Sequence, residues 1–399
     1  MRRLITLAAL TVASVTSAQS PARDFDLIAQ AGHRFDGDHG FEGDPQLFSV
    51  AVPPGNYAVT VTLGDARRAT ETTIKAESRR LMLDAVRTRP GEIVTRRFVV
   101  NVRDATLATP PANAPGGTAV RLKPREIGSF TWDDRLTLEI LGAAPGMRTV
   151  SIVPVEVPTL FLLGDSTVTD QPAEPAASWG QMLPAFLSPT VAVANHAESG
   201  ETLKSFLTEL RLDKVLASAK PGDLAMIQFG HNDQKAQWPQ TYAEAATTYR
   251  SYLHTYIAEL RRRGVTPILV TSPERRQWTE AGHIRPTLGD YAAAVRAVGA
   301  EEKVPVIDLN SDSIRFYESL GKDRAPLAFN DGGRDATHHD NYGAWVLARD
   351  VAERMRAVVP LTRFVRSDLP PFDPGQPPAP ESFRLAASAF HSNERPAGN

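Results

Sequence analysis

The chain has 399 residues, of which 42% are hydrophobic and 23% charged, and it contains no cysteine. This composition is typical of a soluble globular protein, and the length suggests two domains. The net charge of −2 argues against nucleic acid or an anionic membrane surface as a partner. The absence of cysteine excludes disulfides, thiolate metal sites and a cysteine nucleophile.

The first 18 residues have the pattern of a secretory signal peptide. Arg2 and Arg3 precede the apolar stretch "LITLAALTVAS", and the small residues "TSA" precede a predicted cleavage after Ala18. This stretch is too short for a membrane-spanning helix, and no other stretch is long and apolar enough. We therefore expect an exported protein, either periplasmic or extracellular.

Residues 19–157 predict a β-sandwich domain. "QLFSVAVPPGNYAVTVTLGDA" alternates apolar and polar residues on both sides of a "PPGN" turn, and two later segments repeat this alternation. Short alternating strands separated by turn residues are typical of antiparallel sandwiches.

The pattern changes after Pro158, and residues 158–362 predict an α/β domain. Five apolar strands, "TLFLLGD", "TVAVANH", "DLAMIQFG", "TPILVTS" and "VPVIDLN", alternate with helical patterns such as 241–263 and 341–358. Such strands indicate a five-stranded parallel sheet covered on both faces, as in a flavodoxin-like three-layer α/β/α fold. Residues 363–399 are rich in proline and predict a loosely ordered tail.

Polar clusters follow the strands at the edge where ligands bind in such folds. Ser166 follows the first strand, and "DATHHD" precedes the last predicted helix. A serine hydroxyl needs a base to take its proton, and a carboxylate usually orients that base. Asp335 and His338 are three residues apart, so one turn can carry both. His339 is the rival base, and a metal cluster of His338, His339 and Asp340 is an alternative.

An acyl-transfer site also needs donors for the oxyanion of the tetrahedral intermediate. The backbone N–H groups of Ser166 and Gly200 and the side-chain amide of Asn232 have suitable chemistry. Gly200 and Asn232 follow the second and third predicted strands. We therefore predict an oxyanion hole formed by Ser166, Gly200 and Asn232.

The four polar clusters resemble those of the SGNH (GDSL) hydrolase superfamily. They read Gly164-Asp165-Ser166, Gly200, Gly230-His231-Asn232-Asp233 and Asp335-Ala336-Thr337-His338. "SWGQMLPAFL", "SPERRQW" and the sandwich motif "FSVAVPPGNYAVTVTLGD" are similar to the rhamnogalacturonan acetylesterase branch. The resemblance implies a Ser166–His338–Asp335 triad, a galactose-binding-like N-terminal domain and no metal or other cofactor. One difference is Glu201, because the branch often has a cation there.

The sequence signals for residues that contact the substrate are less specific than those for the catalytic residues. His231 is a candidate contact, and Trp179 and Trp278 are candidates for stacking on sugar rings. Arg275, with its neighbour Arg276, is a candidate partner for uronate carboxylates. Each of these side chains could instead have a purely structural role.

The sequence predicts an exported serine esterase that removes acetyl groups from plant polysaccharide, with rhamnogalacturonan as the expected polymer. Acetylated xylan or another acyl ester is an alternative substrate. A polysaccharide-binding protein without catalytic activity is an alternative from a different functional class. The sequence does not specify an oligomeric state.

Overall fold

In the computed structural model, residues 21–44, 46–392 and 394–397 are described, so the predicted signal peptide lies outside the described residues. The described chain forms an N-terminal β-sandwich followed by an α/β domain. Within these ranges, no helix combines the length and the apolar character needed to cross a membrane.

Antiparallel strands in two sheets form the N-terminal sandwich. In spatial order, the first sheet contains β1 (Arg23–Asp26), β9 (Met147–Pro154), β4 (Gly55–Gly64) and β7 (Ile93–Val102). The second contains β2 (His39–Phe41), β3 (Leu47–Ala51), β8 (Arg135–Ala144), β5 (Thr70–Ala76) and β6 (Arg80–Thr88). Val59 and Val61 of β4 are fully buried and belong to one core with Phe48 and Leu138 of the second sheet. The alternating pattern thus buries the inner faces of both sheets against each other.

A five-stranded parallel sheet forms the centre of the second domain. In spatial order its strands are β12 (Ala192–Asn195), β10 (Thr159–Gly164), β13 (Leu224–Gln228), β14 (Thr266–Val270) and β15 (Val306–Ile307). Counted along the chain, this is the order 2-1-3-4-5 of flavodoxin-like folds. A short antiparallel pair, β11 (Ala176–Ala177) with β16 (His339–Asp340), lies outside this sheet. The predicted fold class is confirmed.

Helices cover both faces of the parallel sheet. They are α1 (Trp179–Met182), α2 (Leu203–Thr208), α3 (Arg211–Ser218), α4 (Thr248–Arg262), α5 (Gly289–Glu302), α6 (Leu309–Arg324) and α7 (Asn341–Met355). On β10, Leu162 belongs to the same hydrophobic cluster as Val346 of α7, whereas Leu163 belongs to that of Leu253 of α4. Consecutive side chains of a strand point to opposite faces, so an apolar strand supplies two cores.

Helix α4 is shorter than the predicted segment 241–263. Its buried face contains Tyr249, Leu253 and Ile257, as the three- and four-residue spacing predicts. Residues 241–247 form turns instead, and the N–H of Ala243 donates to the carbonyl of Asp233 at 2.9 Å. This tertiary hydrogen bond holds the segment against the loop that carries Asn232.

Buried ion pairs join the two domains next to the loop that follows Ser166. Arg80 of β6 lies 2.9 Å from Asp170, and Lys75 of β5 lies 3.2 Å from Glu174. All four side chains are almost completely buried. Removing one partner of such a pair would leave an uncompensated charge in the interior. These contacts therefore hold the sandwich against the loop that follows Ser166.

The prediction of a loosely ordered C-terminal tail is wrong for the described residues. Phe372 and Phe383 pack against the core of the α/β domain. Ser388 is 1% exposed, accepts a hydrogen bond from Lys75 at 2.8 Å and donates one to Glu139 at 2.7 Å. Proline disfavours helices and inner strands, but it does not prevent an extended segment from packing its apolar side chains across both domains.

Candidate active site

Ser166 lies in a tight turn directly after strand β10. The N–H groups of Val168 and Thr169 both donate to the carbonyl of Asp165 at 3.0 Å, which closes the turn. Gln171 donates to the carbonyl of Ser166 at 2.7 Å. Gly164 is required here, because a Cβ at this position would lie 2.5 Å from the Val168 side chain. The sequence therefore positions the Ser166 hydroxyl at the carboxyl edge of the sheet.

The structure brings together the three residues predicted to form a triad. His338 Nε2 lies 2.8 Å from Ser166 Oγ, and His338 Nδ1 lies 2.8 Å from Asp335 Oδ2. All three residues are at most 2% exposed. These distances allow the imidazole to accept the serine proton while the carboxylate holds the ring.

Asp335 is held as an ionised carboxylate. Its Oδ1 accepts hydrogen bonds from the N–H groups of Thr337 at 2.8 Å and His338 at 3.1 Å. Burial alone would raise the pKa of Asp335, but the contacts with His338 and these N–H groups outweigh it and lower the pKa to about 2. One short turn thus carries both the base and the group that orients it.

Arg276 supports this turn from a neighbouring loop. Its guanidinium donates to the carbonyls of Gly333 and Asp335, the second at 3.2 Å. It also lies over the Phe329 ring, 5.0 Å from the ring centroid. These contacts give Arg276 a positioning role at this turn, and its pairing with a uronate carboxylate stays a prediction.

His339 lies in the hydrophobic core and does not contact Ser166 among the described contacts. Its Nε2 lies 2.7 Å from the Tyr317 hydroxyl, and its ring packs against Phe329 with centroids 4.7 Å apart. Burial lowers the pKa of His339 to about 3, so the ring stays neutral at physiological pH. These contacts favour His338 over its neighbour as the base.

Asp165 and His231 form a second buried pair beneath the serine. His231 Nδ1 lies 3.3 Å from Asp165 Oδ2, and Asp165 Oδ1 accepts hydrogen bonds from the N–H and hydroxyl of Thr167. Burial would raise the pKa of Asp165, but His231 and Thr167 outweigh it and lower the pKa. His231 is 1% exposed, so the contact with Asp165 is part of the buried structure next to the serine, and its role as a substrate contact stays a prediction.

The two other predicted oxyanion donors lie on loops that touch each other. Asn232 Nδ2 donates to the carbonyl of Glu201 at 3.0 Å, which leaves the second N–H of this amide for another acceptor. Gly200 has a φ of +82°, a conformation that glycine adopts without strain. The Glu201 contact brings Asn232 next to the loop that carries Gly200, and their role as oxyanion donors stays a prediction.

Cations from the N-terminal domain hold this loop, and the sequence analysis missed them. Lys123 Nζ donates to the carbonyl of Ser199 at 3.0 Å and to the buried Glu201 carboxylate. Arg125 donates to the same Ser199 carbonyl and, at 2.7 Å, to Glu198. The charged segment 123–126 was the only sequence signal for this contact. Nothing in the sequence pairs it with a loop of the other domain.

The candidate stacking residues have different surroundings. Trp179 is 1% exposed in the core, where its Nε1 donates to Gln228 at 2.7 Å, so the sugar-stacking prediction is wrong for this residue. Trp278 is partly buried and packs against the same core. Arg275 donates to the carbonyl of His231 at 3.1 Å. This contact ties the Arg275 loop to the Asn232 loop.

A cavity of about 350 Å³ lies where the two domains and the C-terminal segment meet. Trp132 and Arg125 of the sandwich line it, together with Gln171 and Ser199 of the catalytic loops and Arg395 of the C-terminal segment. Gln171 also donates a hydrogen bond to the carbonyl of Ser166. The cavity therefore adjoins the loops that hold the triad.

The profile of the GDSL-like Lipase/Acylhydrolase family matches residues 162–346. The chain is 38% identical to a rhamnogalacturonan acetylesterase of Bacillus subtilis over 213 residues, which cover 50% of this chain and 89% of the relative. It is 36% identical to a probable rhamnogalacturonan acetylesterase of the same organism, with 52% and 96% covered. The crystal structure of the YxiM protein of Bacillus subtilis is similar at 25% identity with a TM-score of 0.49, covering 84% of this chain and 88% of that chain.

Proposed function

The chain belongs to the GDSL-like lipase/acylhydrolase family and is a serine ester hydrolase, and from this we propose that it removes acetyl groups from a polysaccharide of the plant cell wall. The proposed polymer is rhamnogalacturonan, the substrate named for two relatives at 38% and 36% identity. We further propose that residues 1–18 direct the chain out of the cytoplasm.

The reaction starts at the Ser166 hydroxyl. Its oxygen attacks the acetyl carbonyl carbon while its proton passes to His338 Nε2, 2.8 Å away. The developing imidazolium is stabilised by the ionised Asp335 carboxylate. The carbonyl oxygen becomes an oxyanion, for which the backbone N–H groups of Ser166 and Gly200 and the Asn232 amide are the donors.

An acetyl-enzyme then forms and is hydrolysed. The tetrahedral intermediate collapses, the bond between the carbonyl carbon and the sugar oxygen breaks as His338 gives its proton to that oxygen, and the acetyl group remains esterified to Ser166. Water attacks this ester while His338 takes a proton from it. The bond between the carbonyl carbon and Ser166 Oγ then breaks, acetate is released, and His338 returns the proton to Ser166 Oγ. Apart from the ester substrate and water, every group used in these steps belongs to the chain.

The single observation that carries this proposal is the continuous hydrogen-bonded series from Ser166 through His338 to Asp335. A protein that only binds polysaccharide gains nothing from aligning a hydroxyl, an imidazole and an ionised carboxylate. The expected substrate comes from the named relatives, and the cavity beside the catalytic loops, which Trp132 lines together with the polar Arg125 and Gln171, is compatible with a carbohydrate.

The test is acetate release by the purified mature chain from acetylated rhamnogalacturonan, acetylated homogalacturonan and acetylated xylan, with p-nitrophenyl acetate as a simple ester. We expect the first polymer to give the highest kcat/KM. The Ser166→Ala variant should lose activity on all four substrates. Ser251 is exposed, so the control variant Ser251→Ala should have the same activity as the parent.

Each alternative has its own outcome. Higher kcat/KM on xylan would replace the proposed polymer, and preference for long-chain acyl esters would indicate a lipase. Binding of polymer without hydrolysis of any ester would show a protein without catalytic activity. Secretion is tested separately, by locating the chain with and without residues 1–18 after cell fractionation.

A further inference from the structure

A cluster of metal-ligating side chains lies in the N-terminal sandwich, outside the domain that holds the triad. His33 and Asp36 precede strand β2, and His39 is its first residue. One ring nitrogen of each histidine and one carboxylate oxygen of Asp36 lie within 4.8 Å of one another. We propose that these three residues bind a divalent transition-metal ion, with Zn²⁺ as the ion that fits the ligand set.

The spacing of two ligand atoms fits a tetrahedral ion. His33 Nε2 lies 3.4 Å from Asp36 Oδ2. Two ligands placed about 2.0–2.1 Å from a tetrahedral zinc ion are about 3.3–3.4 Å apart. His33 Nε2 is shielded from solvent and has no hydrogen-bond partner among the described residues. A buried nitrogen of this kind needs a partner, and a metal ion between the two atoms supplies it.

The Asp36 carboxylate is already oriented for this contact. Its Oδ1 accepts hydrogen bonds from the N–H groups of Asp38 at 3.0 Å and His39 at 3.2 Å. These two bonds hold one oxygen against the backbone of the turn. The other oxygen, Oδ2, is the one that faces His33.

The His39 ring is fixed by contacts beyond the three ligands. Its Nδ1 lies 2.9 Å from Asp38 Oδ2, which also accepts a 2.6 Å hydrogen bond from Arg23. Metal-bound histidines commonly donate their second N–H to a carboxylate in this way, which fixes the tautomer. The ring also packs between Phe25 and His33, with centroid distances of 4.8 and 4.9 Å.

Two imidazoles and one carboxylate form a set that binds zinc with a fourth position for water. The ion would join the loop at residues 33–36 to the start of strand β2, beside the reciprocal backbone bonds between Phe41 and residues 33 and 35. The catalytic residues Ser166, His338 and Asp335 all belong to the other domain. The proposed ion therefore stabilises the sandwich and takes no part in ester hydrolysis.

The experiment uses the full mature chain, treated with a chelator, dialysed and titrated with Zn²⁺ by calorimetry. We expect one equivalent of zinc per chain and a higher Tm after zinc is added. His33→Ala and His39→Ala should each weaken zinc binding at least tenfold, whereas Asp38→Asn should weaken it less, since it acts through His39.

His254→Ala is the matched control, because this partly exposed histidine also contacts a carboxylate, Glu302, at 2.8 Å but lies on helix α4. It should bind zinc as the parent does. Hydrolysis of p-nitrophenyl acetate by every variant reports an intact catalytic domain and should not change after chelation. Failure of the parent to bind zinc in a saturable way, or equal binding by His33→Ala, would overturn the proposal.

Discussion

Lys123 in the sandwich domain donates a hydrogen bond to the backbone carbonyl of Ser199 at 3.0 Å. The peptide unit that contains this carbonyl also contains the N–H of Gly200. A trans peptide is planar, so fixing the carbonyl on one side directs the N–H to the opposite side. The sandwich thus sets the orientation of a predicted oxyanion donor in the other domain.

Replacing Lys123 by alanine should lower kcat about tenfold with KM little changed. The loss is smaller than the roughly 10²–10³-fold expected for removing a donor, because Arg125 still holds the Ser199 carbonyl. Steady-state kinetics on p-nitrophenyl acetate measure the two constants separately. Lys123→Arg should recover most of kcat, because arginine keeps the cation and its donors.

The control for this variant is Lys220→Ala, since Lys220 forms an exposed ion pair with Glu156 at 3.1 Å. It should leave both constants unchanged. A Lys123→Ala variant with full kcat and a lower Tm would show that the contact only stabilises the domain interface.

His338→Ala should lose nearly all activity while the chain stays folded. His339→Ala should keep a substantial kcat but unfold at a lower temperature, because it leaves a space beside Tyr317 and Phe329 in the core. Paired measurements of kcat and Tm on the two variants separate these effects. The reverse pattern would make His339 the base.

Asn232→Ala tests the predicted oxyanion hole. The oxyanion has most of its charge in the transition state, so kcat should fall roughly 10²–10³-fold, or about 2.7–4 kcal/mol, with KM little changed. Single-turnover kinetics with p-nitrophenyl acetate measure the step directly. An unchanged kcat with a raised KM would instead make Asn232 a contact for bound substrate.

The pH dependence of stability should contain a contribution from His339. Burial holds its folded pKa at about 3, below the ordinary value of 6.5. Between these two values only the unfolded chain takes up the proton, so stability falls as pH decreases through this window. His339→Gln should lose less unfolding free energy than the parent from pH 7 to pH 5, by up to about 1.4 kcal/mol per pH unit below 6.5. Urea unfolding at both pH values measures this difference, and parallel losses in the two proteins would contradict it.

The sequence by itself determined the two domains and the placement of the candidate catalytic residues at the ends of strands. Periodicity depends on neighbouring residues along the chain, so the alternating strands before Pro158 and the apolar strands after it specify their own structure. Asp335 and His338 share one turn for the same local reason. Ser166, Gly200 and Asn232 follow strands of one parallel sheet, which places them at one edge whatever else the chain does.

Only the tertiary structure decided which side chains meet across the domain boundary. Lys123 donates a hydrogen bond to the Ser199 carbonyl, and Lys75 donates one to Ser388, because segments that are distant in sequence pack together. A local sequence pattern does not reveal such pairs, because each group needs its partner only when folding buries both of them away from water. The surroundings of Trp179 were also decided only by the tertiary structure. A tryptophan is suited to stacking on a sugar, but this one is buried in the core of the α/β domain.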